Sequence, residues 1–162
     1  MIDSFREVFR TKNWPVMIAD FIVFMAFLQI GTFIHELGHA LAGILLNCGG
    51  VVEFVNFFTG ASYVGMCPAD SRMILVALAG PMAGFMFGMY LWSIGKDMIF
   101  RLGGITAWMY STLPNLFPLL GNGSDIAVAM EYGLTPFAAW TIYIIITSIV
   151  AFFIVQEIQD QK

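Results

Sequence analysis

Residues 35–39, His-Glu-Leu-Gly-His, bring the residue types of a metal site into a run of apolar residues. A helix turns by about 100° per residue, so His35 and His39 lie roughly 40° apart on one face and both imidazoles can bind one ion. Glu36 lies about 60° from His39, where it is poorly placed as a ligand but can take a proton from water at the metal. The spacing predicts a zinc hydrolase site with Glu36 as general base.

An alternative interpretation is that these three side chains satisfy one another in a polar cavity between helices. However, an ionisable residue inside a membrane span costs a few kcal/mol, and this cluster places three polar groups within five residues. Both histidines of the protein, His35 and His39, fall in it. We therefore favour a metal site.

A zinc hydrolase generally has a third protein ligand and one coordination position open for water. With no histidine left, the candidates are acids and thiols: Glu53, Asp70, Asp97, Asp125, Glu131, Cys48 and Cys67. Asp125 leads because it follows a stretch interrupted by proline and glycine beside an apolar span, where broken backbone indicates a cavity. The competing role for Asp125 is to cap a helix together with Ser124.

The elements that must position these residues are membrane helices. Of the 162 residues, 59% are hydrophobic and only 11% are charged, against about 25% charged residues in ordinary soluble domains. Apolar runs at 16–46, 73–95, 102–120 and 136–156 predict about four transmembrane helices. Residues 49–66, rich in β-branched and aromatic side chains, predict a short hairpin at the membrane surface. The expected fold class is an all-α integral membrane protein with this one hairpin.

The charged residues exclude other classes of function. The net charge is −4 and the 7 basic residues form no stripe, so we expect no nucleic-acid partner. The two cysteines are too few for a secreted fold held by disulfides. Cys48 and Cys67 could form a disulfide if the loop between them faces an oxidising compartment, or stay reduced if it is cytoplasmic; our default expectation is two unpaired structural cysteines. The sequence does not predict an oligomeric state.

Three segments in this order resemble the motifs of the site-2 proteases, a family of intramembrane zinc metalloproteases. They are HELGHA at 35–40, AGPMAG at 79–84 and NLFPLLGNGSD at 115–125, and the resemblance covers about residues 20 to 130. It implies that residues 1–162 form a single membrane-embedded metalloprotease domain, in a minimal form without a PDZ domain.

The resemblance also implies the roles of individual residues. His35, His39 and Asp125 would bind one Zn²⁺ per chain, and Glu36 would be the general base. Asn115 would donate a hydrogen bond to the substrate backbone or the developing oxyanion; alternatively, it is a turn residue beside Pro114. The implied substrate is a membrane protein, cleaved in or near a transmembrane helix. The implied location is the lipid bilayer of the cell membrane, as a multi-pass protein.

The third motif departs from the family pattern. Six residues separate Pro118 from Asp125 where the family usually has four, and Ile126 stands where the family has glycine. Gly84 replaces an asparagine of the second motif. Glu131 therefore remains the second choice for the third ligand. The alternative function is a non-proteolytic membrane protein that binds a metal or a substrate and retains the site.

Two expectations about orientation disagree. Arg6, Arg10 and Lys12 precede the first span, and Lys96 and Arg101 follow the second, so the positive-inside rule predicts a cytoplasmic N-terminal side. The family resemblance implies that the HExxH helix enters from the opposite side and delivers its motif near the cytoplasm. The sequence leaves both possibilities open.

Overall fold

The computed structural model describes residues 14–48, 51–56, 60–64, 67, 71–95, 101, 104–105, 108–109, 113–118 and 124–159. In chain order the elements are helix α1 (Trp14–Leu45), strands β1 (Val51–Asn56) and β2 (Gly60–Val64), and helices α2 (Arg72–Ile94), α3 (Asp125–Glu131) and α4 (Pro136–Gln159). The described chain is thus mostly helical.

Helix α1 contains 32 residues and is therefore about 48 Å long, which exceeds the roughly 30 Å of a hydrocarbon core. It ends in a Schellman motif, in which Asn47 has a φ of 55° and the amide of Cys48 donates to the carbonyl of Gly43 at 2.8 Å. Asparagine is one of the few residues that adopt this left-handed conformation readily. The chain therefore changes direction at Asn47, directly after the predicted span 16–46.

Helices α1 and α2 pack against each other in antiparallel directions. The Arg72 guanidinium, at the start of α2, donates to the carbonyl of Leu46, directly after the end of α1, at 3.3 Å. About two turns further into each helix, Gly38 of α1 lies against Ala79 and Ala83 of α2. A Cβ atom on Gly38 would lie 2.5 Å from the carbonyl oxygen of Ala79, so only glycine allows this approach. Small residues therefore set the short distance between the two helices.

Within the described part of the chain, three helices are long and apolar enough to cross a membrane, over Met17–Leu45, Arg72–Ile94 and Pro136–Gln156. Large apolar side chains remain exposed along α1 and α4, among them Phe21, Ile22 and Phe137. About half of the predicted span 102–120 lies outside the described residues; its described parts include helical residues at 104–105, 108–109 and 113–116. A fourth crossing therefore stays a prediction.

Strands β1 and β2 pair in antiparallel register, with Val51 opposite Val64 and Phe54 opposite Ala61. An irregularity in the register separates Phe54 from Asn56. The strands lie within the segment for which the sequence predicts a hairpin, and they contact α1. Residues 57–59 between them are outside the described part of the chain, and a position at the membrane surface stays a prediction.

The structure corrects the expectation that the cysteines are unpaired. Cys48 and Cys67 form a disulfide, with Cα atoms 4.3 Å apart. The reason is that the left-handed turn at Asn47 redirects the chain at the end of α1, while the two strands return it to the start of α2. The disulfide therefore joins the C-terminal end of α1 to the chain that leads into α2.

Helix α3 has only seven residues but is capped at both ends. Ser124 is the N-cap, and its hydroxyl accepts from the amide of Ala127 at 3.3 Å. At the other end Gly133, with a φ of 106°, terminates the helix in a second Schellman motif. Thr135 then caps α4, accepting from the amide of Ala138 at 3.2 Å. These caps fix the direction of a helix too short to be stable alone.

The core lies between α3, α4 and the chain that precedes α3. Its buried members come from all three parts of the chain: Trp108, Leu116, Ile126, Ala139, Ile146 and Val150. Ile126 is fully buried and directly follows Asp125 in α3. Packing of this face of α3 into the core therefore leaves the adjoining Asp125 facing α1.

Candidate metal centre

Helix α1 places both histidines of the protein on its face toward α2. His35 and His39 are 2% and 4% exposed, and their Nε2 atoms are 3.2 Å apart. This is the geometry expected for residues four positions apart on one helix. The prediction that both rings can reach one ion is therefore met by the atoms themselves.

Asp125, at the start of α3, completes the cluster. Its Oδ2 lies 2.9 Å from Nε2 of His35 and its Oδ1 lies 3.1 Å from Nε2 of His39. One ligand atom from each of the three residues lies within 4.8 Å of the others, so the group could hold a metal ion. The alternative role of Asp125 was to cap a helix together with Ser124. Ser124 makes the N-cap hydrogen bond of α3, whereas the carboxylate of Asp125 faces the histidines.

A carbonyl group of α2 determines which nitrogen of His39 carries a proton. Nδ1 of His39 is 2.7 Å from the carbonyl oxygen of Val76. Because a carbonyl oxygen can only accept, Nδ1 must be the donor. In a neutral His39, Nε2 then presents a lone pair to the carboxylate of Asp125. Two acceptor atoms 3.1 Å apart repel each other unless a proton or a cation lies between them.

One further polar atom of the cluster supports a bound cation. Oδ2 of Asp125 is buried and has no hydrogen bond among the described residues; the 2.9 Å approach of His35 to Oδ2 lacks the geometry of one. A buried carboxylate oxygen without a donor is costly.

Gly80 of α2 forms the wall behind His39. A Cβ atom at this position would overlap Nε2 and the adjoining carbons of the imidazole ring. The ring therefore occupies the space that any other residue at position 80 would fill. Together with the Val76 carbonyl, Gly80 holds the ring of His39 in a single orientation.

Glu36 lies beside the cluster but is not part of it. Its Oε1 is 4.0 Å from Nε2 of His35, and its side chain is 16% exposed. A ligand to an ion shared by the histidines would have to come closer. The carboxylate is instead within reach of a molecule bound next to that ion, and it keeps some contact with the surface.

The other candidate ligands that the structure describes lie away from this cluster. Glu131, the second choice, is exposed at the C-terminal end of α3, and Glu53 is exposed on β1. Cys48 and Cys67 are joined to each other. Asp70 and Asp97 lie outside the described residues. Asn115 is half-buried in the helical stretch 113–116, and its role stays a prediction.

Sequence reasoning missed the two groups of α2 that hold His39. The Val76 carbonyl could not be found, because a backbone acceptor leaves no trace in the residue type. Gly80 did leave a signal, since it belongs to the AGPMAG segment and to the spacing Gly80, Gly84 and Gly88 typical of close helix packing.

No family model, curated protein or solved structure matched the chain.

Proposed function

We propose that the chain is an intramembrane zinc metallopeptidase of the site-2 type, which hydrolyses a peptide bond in or near a transmembrane segment of another membrane protein. The observation that carries the proposal is the convergence of His35, His39 and Asp125 on one point, with Glu36 beside it. The order of the three sequence motifs supports it.

The donor set and its spacing fit zinc. In a tetrahedral site with ligand atoms at about 2.0 to 2.1 Å from zinc, the ligand atoms are about 3.3 to 3.4 Å apart. The two Nε2 atoms are 3.2 Å apart, close to this spacing. They lie 2.9 and 3.1 Å from two different oxygens of Asp125, so the carboxylate would have to turn for one oxygen to share an ion with both nitrogens. Two imidazoles and one carboxylate are a frequent ligand set for catalytic zinc, with the fourth position open.

When bound, zinc would lower the pKa of a coordinated water and polarise the scissile carbonyl. The residues of the chain supply the remaining steps. Glu36 accepts the proton of the attacking water and delivers it to the leaving amine. Val76 and Gly80 keep His39 oriented throughout. Asn115 is assigned a hydrogen bond to the substrate backbone or the oxyanion.

The surface of the helices supports a position in the bilayer. The exposed side chains of α1 include Ile18, Phe21, Ile22 and Ile44, and those of α4 include Phe152 and Val155. A soluble monomer rarely exposes so many large apolar side chains on its helices. We therefore place the chain as a multi-pass protein of a cell membrane, with a transmembrane helix of another protein as substrate.

The test uses the variant Glu36→Gln, which removes the base and keeps the size of the side chain. We expect purified Glu36→Gln to bind zinc like the wild type but to lose cleavage of a single-span substrate in the same liposomes by at least about a hundredfold. Glu131→Gln, an exposed amide substitution outside the cluster, is the matched control and should cleave normally.

Two results would argue against a peptidase. One is unchanged cleavage by Glu36→Gln with zinc bound, which would assign the activity to a contaminant or to another site. The other is stoichiometric zinc in the wild type without cleavage of any of a panel of single-span substrates. That second result would favour the non-proteolytic membrane metal-binding protein.

A further inference from the structure

The helices have two distinguishable ends, and each end can be assigned from contacts. We name the end at Leu45 and Arg72 the disulfide end, and the end at Trp14 and Ile94 the opposite end. The carbonyl of Leu46 accepts from Arg72 and the disulfide joins the chain at the same end. Helix α1 therefore runs toward the disulfide end and α2 runs away from it.

Helix α4 runs parallel to α2. Trp92, near the last turn of α2, packs against Phe153, near the last turns of α4, with ring centroids 4.6 Å apart. The C-terminal end of α4 is therefore at the opposite end. Lys162, the last residue, follows from there in the sequence.

The basic residues are distributed unequally between the two ends. Of the 7 in the chain, a single one, Arg72, belongs to the segment at the disulfide end. The others flank helix termini of the opposite end in the sequence: Arg6, Arg10 and Lys12 before α1, Lys96 and Arg101 after α2, and Lys162 after α4. All six lie within about 15 to 20 residues of the end of a span, which is the range over which the positive-inside rule applies. The rule assigns the opposite end to the cytoplasm.

The disulfide leads independently to the same assignment. Disulfides form and persist in oxidising compartments and are rare in the cytosol. Cys48 and Cys67 both lie at the disulfide end. Charge and cysteine chemistry therefore agree that this end is outside the cytoplasm.

The metal cluster lies nearer to the disulfide end. Helix α2 has 23 residues and is about 34 Å long, close to the thickness of a hydrocarbon core. His39 contacts Val76 and Gly80 of this helix. At 1.5 Å per residue these two lie about 6 and 12 Å from Arg72, but about 27 and 21 Å from Ile94. The shortest path from water to the cluster therefore begins at the disulfide end.

We infer that the metal cluster is reached from the oxidising side of the membrane. Together with the function proposed above, on which this step rests, the inference defines a substrate class. The substrates are membrane proteins whose scissile bond lies in the half of a transmembrane segment nearer to the oxidising side. The inference settles the two conflicting expectations for orientation in favour of the basic residues. The cluster then opens to the side opposite to that implied by the family resemblance.

Thiol labelling of the full-length chain in a bacterial inner membrane tests the orientation. Glu53, at the disulfide end, and Gln159, at the opposite end, are both exposed and are changed singly to cysteine. We expect a membrane-impermeant maleimide to label Glu53→Cys in intact spheroplasts and Gln159→Cys only after permeabilisation. In the wild type, both native cysteines should be labelled only after reduction.

Labelling of Gln159→Cys before Glu53→Cys would overturn the inference, as would free native thiols in the unreduced wild type. Neither result bears on proteolysis, which is measured by the Glu36→Gln comparison. Once the orientation is established, cleavage of two single-span substrates completes the test. Each substrate carries one flexible, helix-breaking site, near the oxidising side in one and near the cytoplasm in the other. The substrate with the site near the oxidising side should be cleaved, and preferential cleavage of the one with the site near the cytoplasm would contradict the inferred substrate class.

Discussion

The imidazole ring of His39 lies directly against the backbone of Gly80, in the volume that a β-carbon on Gly80 would occupy. The same ring donates through Nδ1 to the carbonyl of Val76, one turn earlier in α2. Backbone atoms of α2 therefore help to orient His39, the proposed metal ligand in α1. Changes in α2 should alter metal binding even where no proposed ligand is replaced.

The first prediction concerns Gly80→Ala. The added methyl group must displace the ring of His39, because neither helix can retreat without losing the close contact at Gly38. We expect zinc affinity, measured by competition with a chromogenic chelator, to fall by about 10- to 100-fold, as for other groups that orient metal ligands.

Gly88→Ala is the matched control for Gly80→Ala. The same substitution two turns later in α2 meets Trp108 and not a histidine. It should lower the unfolding midpoint and leave zinc affinity of the folded protein unchanged. Equal losses of affinity in both variants would show that helix packing, and not the orientation of His39, controls the site.

The ligand set itself is tested by removing each carboxylate of α3. Asp125→Ala leaves two nitrogen ligands, so we expect the zinc content after dialysis to fall from about one per chain to near zero, as in His35→Ala. Glu131→Ala, at the exposed end of the same helix, should retain full zinc. Elemental analysis of the purified proteins measures this, and full occupancy in Asp125→Ala would refute its assignment as a ligand.

The N-cap of α3 should affect zinc binding because it fixes the position of Asp125, the next residue. Ser124→Ala removes the hydrogen bond to the amide of Ala127 and should reduce stability by about 1 kcal/mol. Because Asp125 is the next residue, zinc affinity should also fall severalfold. Thr135→Ala removes the equivalent cap of α4 and should reduce stability without the loss of affinity; an identical effect of both variants would contradict the prediction.

Gly133→Ala tests the other end of α3. Its φ of 106° disfavours any side chain, and no atom lies within 4 Å of the added methyl group. The change should therefore lower the free energy of unfolding by about 1 kcal/mol through backbone strain alone. Gly133→Asn should cost less, since asparagine tolerates positive φ better than alanine. Thermal unfolding in detergent compares the two, and an unaffected Gly133→Ala would show that the turn is not strained.

The parts of the site that the sequence could predict depend on local geometry. The spacing of His35 and His39 fixes their common face on any helix, and the apolar runs give the helices themselves. Asp125 could be proposed from the broken backbone before it and from the resemblance. Its contact with the histidines, however, depends on Ile126 being buried in a core that is assembled from several parts of the chain.

What the sequence could not predict depends on backbone atoms and turns. The Val76 carbonyl is common to every residue type, so its hydrogen bond to His39 requires the packing of α1 on α2. The sequence leaves the disulfide as an alternative to unpaired cysteines for a similar reason. The pairing of Cys48 with Cys67 depends on the left-handed conformation of Asn47, and asparagine permits this conformation without requiring it.

The cluster joins parts of the chain that are far apart in sequence, since more than half of the protein lies between His39 and Asp125. An ion shared by these residues would act as a cross-link that closes this long loop, and closing a long loop removes much conformational freedom from the unfolded chain. A bound ion would then stabilise the folded protein by holding α3 against α1.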